Sequence, residues 1–176
     1  MDTRNKLYNL YMYILNIHSD NPELNVHHYT VIFPTDAENS RNILLKSITI
    51  GINTDITFGN MPSKHSEVDA LNKIKYRRNN PKSVSMFVIR LSKTGVLGES
   101  RPCYHCLQTM LKSRLNIKYI YYSTATGLII REELCNMLQS VKTYISWGVK
   151  DKNKNRYLNN KIKKVVRTKT QKICYV

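Results

Sequence analysis

Apolar residues recur at helical spacing in four segments of the chain. The segments cover residues 4–18, 65–76, 102–114 and 132–141. An amphipathic helix places an apolar residue on its buried face every three or four positions, so each segment predicts a helix with one face on the core. The positions that define the first three faces are Leu7, Leu10, Ile14, Val68, Leu71, Ile74, Leu107, Met110 and Leu111.

Five shorter apolar runs predict strands. They lie at residues 27–33, within 43–53, and at 84–91, 117–123 and 128–131. The run at 84–91 is almost entirely apolar, which is typical of a strand in the middle of a sheet. The first two strands flank a turn-rich segment and are expected to pair. The last two are joined by a short turn that contains glycine, which predicts an antiparallel hairpin.

This order of elements predicts an α/β protein. We expect a three-layer α/β/α sandwich with one mixed five-stranded sheet, to which residues 142–149 add an extra strand in one interpretation. A second interpretation of the C-terminal half stays open. In it, residues 129–139 form a helix and residues 144–147 form a parallel fifth strand.

The length of 176 residues suits one domain with a full core and is short for two. We assign residues 1–149 to the folded domain and residues 150–176 to a basic C-terminal extension. Residues 150–172 hold ten Lys or Arg and one Asp, with few apolar residues. This composition predicts a solvated tail or a helix that a partner orders.

The net charge of the chain indicates what kind of partner the protein binds. It has 28 Lys and Arg against 12 Asp and Glu, a formal net charge of +16. Such a surplus predicts a polyanionic partner, first of all single-stranded nucleic acid and less often an anionic membrane surface. The alternative is the codon bias of an AT-rich genome, although that bias adds Lys without removing Asp and Glu.

The sequence also predicts where the protein works. No apolar run approaches the roughly 20 residues that a membrane span needs, and residues 1–20 are too polar for a signal peptide. We therefore expect an intracellular protein, in the cytoplasm or nucleus, with no membrane partner. In that setting the four cysteines are expected to be thiols or metal ligands rather than disulfides.

Two short motifs carry donors that suit a zinc ion. Cys103 and Cys106 stand three positions apart behind Pro102, so one helical turn presents both sulfurs on one side. His65 supplies a third donor if the starts of the two helices face each other. Three protein ligands are typical of catalytic zinc sites, whereas structural sites normally have four. Glu67 lies about 200° around the helix from His65, which favours contact with a water over binding to the metal.

The segments HSE at 65–67 and PCYHC at 102–106 resemble the H-x-E…P-C-x-x-C signature of zinc-dependent cytidine deaminases. The resemblance covers residues 28–141, whose strands and motif helices follow the order of that family. It implies the cytidine deaminase-like fold, Zn2+ as cofactor and the hydrolytic conversion of cytosine to uracil. The resemblance implies that His65, Cys103 and Cys106 bind the zinc ion. It implies that Glu67 is the proton shuttle.

The resemblance also implies a residue that holds the sugar of the substrate. Similar enzymes keep an asparagine before the helix of the H-x-E motif, and Asn53 stands at that place. Asn60 is the alternative, and a plain turn role for Asn53 is another. The 34 residues between Glu67 and Pro102 exceed what many relatives carry, so the loop before Ser100 is not assigned.

Two further residues near the second motif are substrate-binding candidates. Family members often have serine or glutamate before the Pro-Cys pair, whereas this chain has Arg101, whose guanidinium suits a phosphate. The alternative is an ordinary surface arginine. Tyr104, like Tyr121 and Tyr122, is a candidate for stacking on a base, the alternative being packing in the core or sheet.

Other potential donors are interpreted as structural. His27 and His28 are adjacent on a predicted strand, so at most one of them lines a pocket. His105 lies between the two cysteines and is interpreted as a helix surface residue. Cys135, on the last predicted helix, is interpreted as a buried thiol and Cys174, in the extension, as an idle thiol. If Cys135 reached the metal, the site would be closed and structural.

Three functions remain in view. The leading hypothesis is a deaminase of cytosine in single-stranded DNA or RNA, because a small free substrate does not require a charge of +16. The alternatives are a deaminase of free cytidine, deoxycytidine or their nucleotides, and a non-catalytic nucleic-acid-binding protein with the same fold. Among similar proteins an antiparallel last strand accompanies free-nucleoside and toxin-type DNA deaminases, so topology does not decide. The cations proposed for phosphates are Lys64, Arg77, Arg78, Arg101, Lys112, Arg114 and those of the extension.

Overall fold

The computed structural model describes residues 4–20, 28–39, 49–53, 64–74 and 81–140. The expected extra strand at 142–149 and the basic extension lie outside these residues, so the domain boundary stays a prediction. Among the described helices, none combines the length and the apolar character that crossing a bilayer requires.

Four helices confirm the four predicted from periodicity. They are α1 at Arg4–Ser19, α2 at Ser66–Lys73, α3 at Tyr104–Lys112 and α4 at Leu134–Gln139. A 3-10 turn at Thr35–Asn39 follows the first strand. The last three helices begin one or two residues later than the periodicity indicated. His65 before α2 and Cys103 before α3 have an extended backbone, and the two residues before α4 belong to the strand at Ile129–Glu133.

Pro102 does not open α3, contrary to the prediction. Cys103 is the N-cap of α3, with an extended backbone at φ −74° and ψ 165°, and the helix begins at Tyr104. Pro102 therefore lies one residue before the cap. An N-cap residue has non-helical dihedral angles, so the helix cannot begin until the residue after Cys103.

The described residues include six strands that form one mixed sheet. They are β1 at His28–Pro34, β2 at Thr49–Ile52, β3 at Val84–Leu91, β4 at Leu97–Gly98, β5 at Ile117–Ser123 and β6 at Ile129–Glu133. The order across the sheet is β2-β1-β3-β5-β6, and β4 pairs with the end of β3. Only β3 and β5 are parallel to each other. The sequence missed β4 because two residues are too few to form an apolar run.

The last two strands form the predicted hairpin. β5 and β6 pair antiparallel, from Tyr119 opposite Glu133 to Ser123 opposite Ile129. The turn between them uses Gly127 at φ 78°, a conformation in which a side chain would be strained. The alternative interpretation, which placed residues 129–139 in one helix, is therefore wrong for residues 129–133.

Helices cover both faces of the sheet. On one face, α1 packs through Leu10 and Ile14 against apolar residues of β1 and β3, among them Phe33 and Phe87. On the other face, α2, α3 and α4 pack against Ile32, Val84, Met86, Val88 and Ile120. Alternate residues of β1 and β3 thus enter opposite cores, which explains why β3 is apolar at nearly every position.

Helix α2 lies unusually close to β2. A Cβ atom built on Gly51 would come within 2.0 Å of the Ser66 carbonyl oxygen and 2.4 Å of the Ala70 backbone nitrogen. Because both of these are backbone atoms, no side-chain rotation can relieve the overlap. Glycine at position 51 is therefore a condition for the position of α2, and α2 begins directly after His65.

Asp69 fastens the same helix to the same strand. Its carboxylate accepts the backbone N–H of Ile52 at 3.1 Å and pairs with Lys64 and Lys73 at 2.6 Å each. Burial by itself would raise the pKa of Asp69, but the hydrogen bonds from the two lysines and from Ile52 together hold it below its ordinary value. The ionised carboxylate thus joins β2, the start of α2 and its last turn.

We predict that Gly51→Ala destabilises the fold and displaces α2. Overpacking of this kind costs about 1–3 kcal/mol and sometimes more. Gly98→Ala is the matched control, because its added Cβ would meet only the Arg90 side chain, at 3.3 Å. Thermal unfolding of both variants measures the difference. Equal melting temperatures would contradict the close packing of α2 on β2.

Candidate metal centre

One imidazole and two thiols meet between the starts of α2 and α3. Nδ1 of His65 lies 3.5 Å from Sγ of Cys103 and 3.3 Å from Sγ of Cys106, and the two sulfurs are 3.6 Å apart. Both cysteines are buried and His65 is half-buried. These three residues form a potential metal-binding group among the described residues. The structure thus brings together the three side chains that the sequence proposed as ligands.

The distances between these donors fit a tetrahedral zinc ion. With Zn–S near 2.3 Å and Zn–N near 2.0–2.1 Å, tetrahedral angles place two sulfurs about 3.8 Å apart and sulfur and nitrogen about 3.5 Å apart. The observed separations of 3.3–3.6 Å lie close to both values. Thiolate and imidazole are also donors that zinc accepts and that Mg2+ and Ca2+ do not favour. The group can therefore hold a metal ion and is compatible with zinc.

The backbone explains why donors 38 positions apart converge. His65 caps α2 and Cys103 caps α3, and both residues are extended, with ψ angles of 146° and 165°. Neither uses its side chain to cap its own helix. Each helix start therefore directs its cap side chain into the space between the helices, and Cys106 adds its sulfur from the first turn of α3.

Glu67 lies at the same site. It is 3% exposed, and its carboxyl interacts with the Cys106 thiol. Ser66 donates a hydrogen bond to Glu67 Oε2 at 3.3 Å and shares one of 2.8 Å with Thr30. The angular separation predicted between His65 and Glu67 is wrong, because His65 precedes the helix and the helical step of 100° does not apply to it. Both side chains therefore reach the same place.

The protein interior shifts the protonation of these groups. Burial is the largest cause that raises the pKa of Glu67 above its ordinary value. A hydrogen bond with Cys103 raises the pKa of His65. The Cys106 thiol and then His65 lower the pKa of Cys103, whereas the nearby Cys103 sulfur and burial raise the pKa of Cys106. A buried carboxyl that holds its proton to a higher pH than usual is suited to both donating and accepting protons.

Two serines that the sequence did not single out hold the segment before Cys103. Ser100 donates to the Val88 carbonyl at 2.8 Å and accepts the Ser123 N–H at 2.8 Å. Ser123 donates to the Gly98 carbonyl at 2.6 Å. These contacts fix residues 98–100 against β3 and β5. Serines give no periodic or motif signal, so only the pairing of distant segments could reveal their role.

Arg101 is engaged with an acidic side chain. Its guanidinium lies 3.3 Å from Glu132 Oε2 and 5.9 Å from the centre of the Tyr122 ring, and its side chain is 14% exposed. Tyr122 donates a hydrogen bond to the other oxygen of Glu132. Arg101 is therefore a half-buried arginine that is paired with a carboxylate, which differs from an ordinary surface arginine, and a phosphate would have to compete with Glu132 for it. Lys64, another proposed phosphate ligand, is paired with Asp69.

The tyrosines proposed for base stacking are buried. Tyr104 is 6% exposed and meets His105 edge-on at 5.8 Å between ring centres. Tyr121 belongs to the core on the α1 face, on the other side of the sheet from α2 and α3. Tyr122 belongs to the core on the same side as the metal ligands. Packing thus accounts for all three rings, and the stacking role of Tyr104 stays a prediction.

Asn53 directly follows β2, close to the start of α2. Its N–H donates to the His28 carbonyl at 3.0 Å, which continues the pairing with β1. Its side-chain Oδ1 is buried, and no described residue donates to it. An acceptor in this position can bind a substrate hydroxyl, so the proposed sugar-binding role stays open. Asn60 lies outside the described residues.

The remaining donors stay apart from the ligand group. Cys135 lies on α4, and its sulfur is 3.5 Å from Glu133 Oε2. It is not a member of the ligand group. His28 and His105 are half-buried and also outside it. His27 and Cys174 lie outside the described residues. The part of the chain described here therefore supplies three ligands to the site, not four.

The chain was compared with protein-family models and with curated proteins. No protein-family model matches the chain, and no curated protein matches it. The resemblance to cytidine deaminases therefore rests on the two motifs, their order, and the convergence of their side chains in an α/β fold with a mixed sheet.

We predict that the purified protein binds one Zn2+ or Co2+ per chain. Cys103→Ser or Cys106→Ser should lower the sulfur-to-cobalt charge-transfer absorption to about half or less, because each removes one of the two thiolates. Cys135→Ser is the matched control and should bind like the wild-type protein. Metal analysis and cobalt titration measure the stoichiometry. Full cobalt binding by the Cys106→Ser variant would contradict the proposed ligand set.

Proposed function

We propose that this protein is a zinc-dependent hydrolytic deaminase that converts cytosine to uracil. The observation that carries the proposal is the buried carboxyl of Glu67 beside three donors at zinc spacing. A structural zinc site uses four ligands and has no need of such a carboxyl. The order of the H-x-E and P-C-x-x-C motifs supports the same activity.

The roles of the side chains follow from their positions. His65, Cys103 and Cys106 would hold the zinc ion, which supplies activation of a water molecule for attack on the ring carbon that bears the amine. Glu67 would take up the two protons of that water one after the other, and would deliver the first to the ring nitrogen and the second to the departing amine. One water is consumed and one ammonia is released for each uracil formed. Positioned acid–base catalysis of this kind is worth about 10²–10⁴ in rate.

We predict that Glu67→Gln lowers deamination by about 10²-fold or more, because the amide cannot take up the proton that the carboxylate accepts. The variant should retain metal and fold, since Glu67 is not one of the three ligands. Uracil formation and metal content, measured on the same preparation, test both points. Wild-type turnover in a metal-loaded Glu67→Gln protein would reject the shuttle role.

We infer that the substrate is cytosine in single-stranded DNA or RNA. The described residues carry 12 Lys and Arg against eight Asp and Glu, while the rest of the chain carries 16 of the 28 basic residues and four of the 12 acidic ones. Most of the surplus charge therefore lies outside the described part, much of it in residues 150–176. A basic segment of this kind supplies the sequence-independent attraction to phosphates that polynucleotide binding needs.

A second candidate is deamination of free cytidine, deoxycytidine or their nucleotides. One observation favours it: the side chains of Arg101 and Lys64 are each paired with a carboxylate. Both cations are then less available to hold the backbone of a long strand. The non-catalytic alternative is weakened by Glu67, whose buried carboxyl has an energetic cost that nucleic-acid binding does not require.

We predict uracil formation in single-stranded oligonucleotides, with apparent affinity that falls as salt rises because counterions are released on binding. Removal of residues 151–176 should weaken binding and flatten the salt dependence while metal binding persists. Adenine-containing strands and free cytidine, deoxycytidine and their nucleotides serve as comparison substrates. Turnover of the free compounds alone would establish the second candidate. Nucleic-acid binding without turnover of any of them would establish the non-catalytic one.

A further inference from the structure

We propose that Glu132 is a positioning residue for the metal centre, acting through Arg101 and Tyr122 to fix the segment that leads into Cys103. This inference rests on the metal site of the proposed function and deepens it. Glu132 belongs to β6, far in sequence from both motifs. It does not belong to the ligand group itself.

Glu132 joins three parts of the protein. One carboxylate oxygen accepts a hydrogen bond from the Tyr122 hydroxyl of β5, and the other lies 3.3 Å from the Arg101 guanidinium. The Arg101 guanidinium also lies against the Tyr122 ring, 5.9 Å from its centre. The side chains of Arg101 and Glu132 are only 14% and 28% exposed. A pair shielded to this degree is screened less by water and salt than a surface pair, so it can restrain a segment.

The restraint passes to the ligand through a short, stiff connection. Only Pro102 separates Arg101 from Cys103, and the proline ring fixes its own φ angle near −65°. On the other side of Arg101, Ser100 is held by Val88 and Ser123. Ser100 and Arg101 are thus both anchored, by their side chains, to the sheet. Cys103 has little freedom to move relative to His65 while both anchors are intact.

The two anchors contribute differently. The Ser100 anchor is made of buried hydrogen bonds to backbone groups of β3 and β5, so it forms with the sheet. The Glu132 anchor consists of side-chain contacts, in which one carboxylate meets both Arg101 and Tyr122. Its loss should leave the sheet in place while the Arg101 side chain is held less firmly. The effect should then appear at Cys103, in metal affinity and ligand geometry.

The test compares cobalt binding by Glu132→Gln and by Glu133→Gln. Glutamine keeps an oxygen for the Tyr122 hydroxyl and removes the charge that holds Arg101. We expect Glu132→Gln to bind Co2+ about 10–100-fold more weakly, the range found when residues that orient metal ligands are changed, and to alter the d–d absorption bands. Glu133→Gln, on the exposed neighbour, should match the wild-type protein. Thermal unfolding of each metal-free variant measures stability separately.

A double-mutant cycle identifies the path. Arg101→Gln should weaken cobalt binding to a similar degree, and the double variant should be no weaker than either single one, because the two residues act as one unit. Wild-type affinity and spectrum in Glu132→Gln, with or without a lower melting temperature, would overturn the inference, as would additive losses in the double variant. Cobalt binding by the wild-type protein without any deamination would reject the proposed function and leave this inference standing. Absence of cobalt binding by the wild-type protein would overturn both.

Discussion

The close contact between α2 and β2 is the constraint on which the site depends. Gly51 leaves no room for a Cβ atom beneath Ser66 and Ala70, and Asp69 ties the helix to the backbone of Ile52. A buried hydrogen bond between Thr30 and Ser66 fastens the first turn to β1. With α2 fixed at three points on two strands, the residue before it and the residue inside its first turn have defined places. His65 and Glu67 occupy those places.

The second half of the site is held in a different way. Helix α3 packs through Leu107 and Met110 into the same core as α2, while the segment before it is tied to β3 and β5 by Ser100 and Ser123. Its thiols are buried and lie at the start of a helix, where the peptide dipoles favour negative charge. Both halves thus use helix starts as platforms, and the sheet sets the distance between them. A metal ion would bridge the two halves.

The proposed chemistry depends on two kinds of side chain at the site: three that can bind a metal ion, and one nearby carboxyl that does not belong to the ligand group. Two sulfurs and one nitrogen satisfy most of the coordination of a zinc ion, and the described chain provides no fourth ligand to the group. The nearest additional functional side chain is a buried carboxyl whose pKa is raised by burial. In the proposed mechanism, that arrangement would give a reacting water and a proton carrier a common location. Arg101, Glu132 and Tyr122, by contrast, contact one another. We therefore expect phosphates to bind mainly to the basic part of the chain outside the described residues.

The sequence alone determined most of the elements and the candidate metal ligands. Apolar spacing located α1–α4 and five of the six strands, since burial of one face imposes a period on each element. The two motifs named His65, Cys103 and Cys106, because few other residue types bind zinc. The glycine-containing turn identified the hairpin, although a helix over residues 129–139 was an open alternative. Pairing of β6 with β5 excluded that helix for residues 129–133, because register is a property of two strands together.

Only the tertiary structure decided how the site is supported. Cys103 caps α3 instead of following its proline into the helix, and His65 stands outside the helical wheel that was used to place Glu67. Ser66, Ser100, Ser123 and Glu132 gained their roles from partners 31 or more positions away or on other strands. Tyr121 and Tyr122 are adjacent in sequence yet enter opposite cores. Local pattern reports which residues are buried or reactive, but contacts between distant segments depend on how the elements pack, and that is set by the whole chain at once.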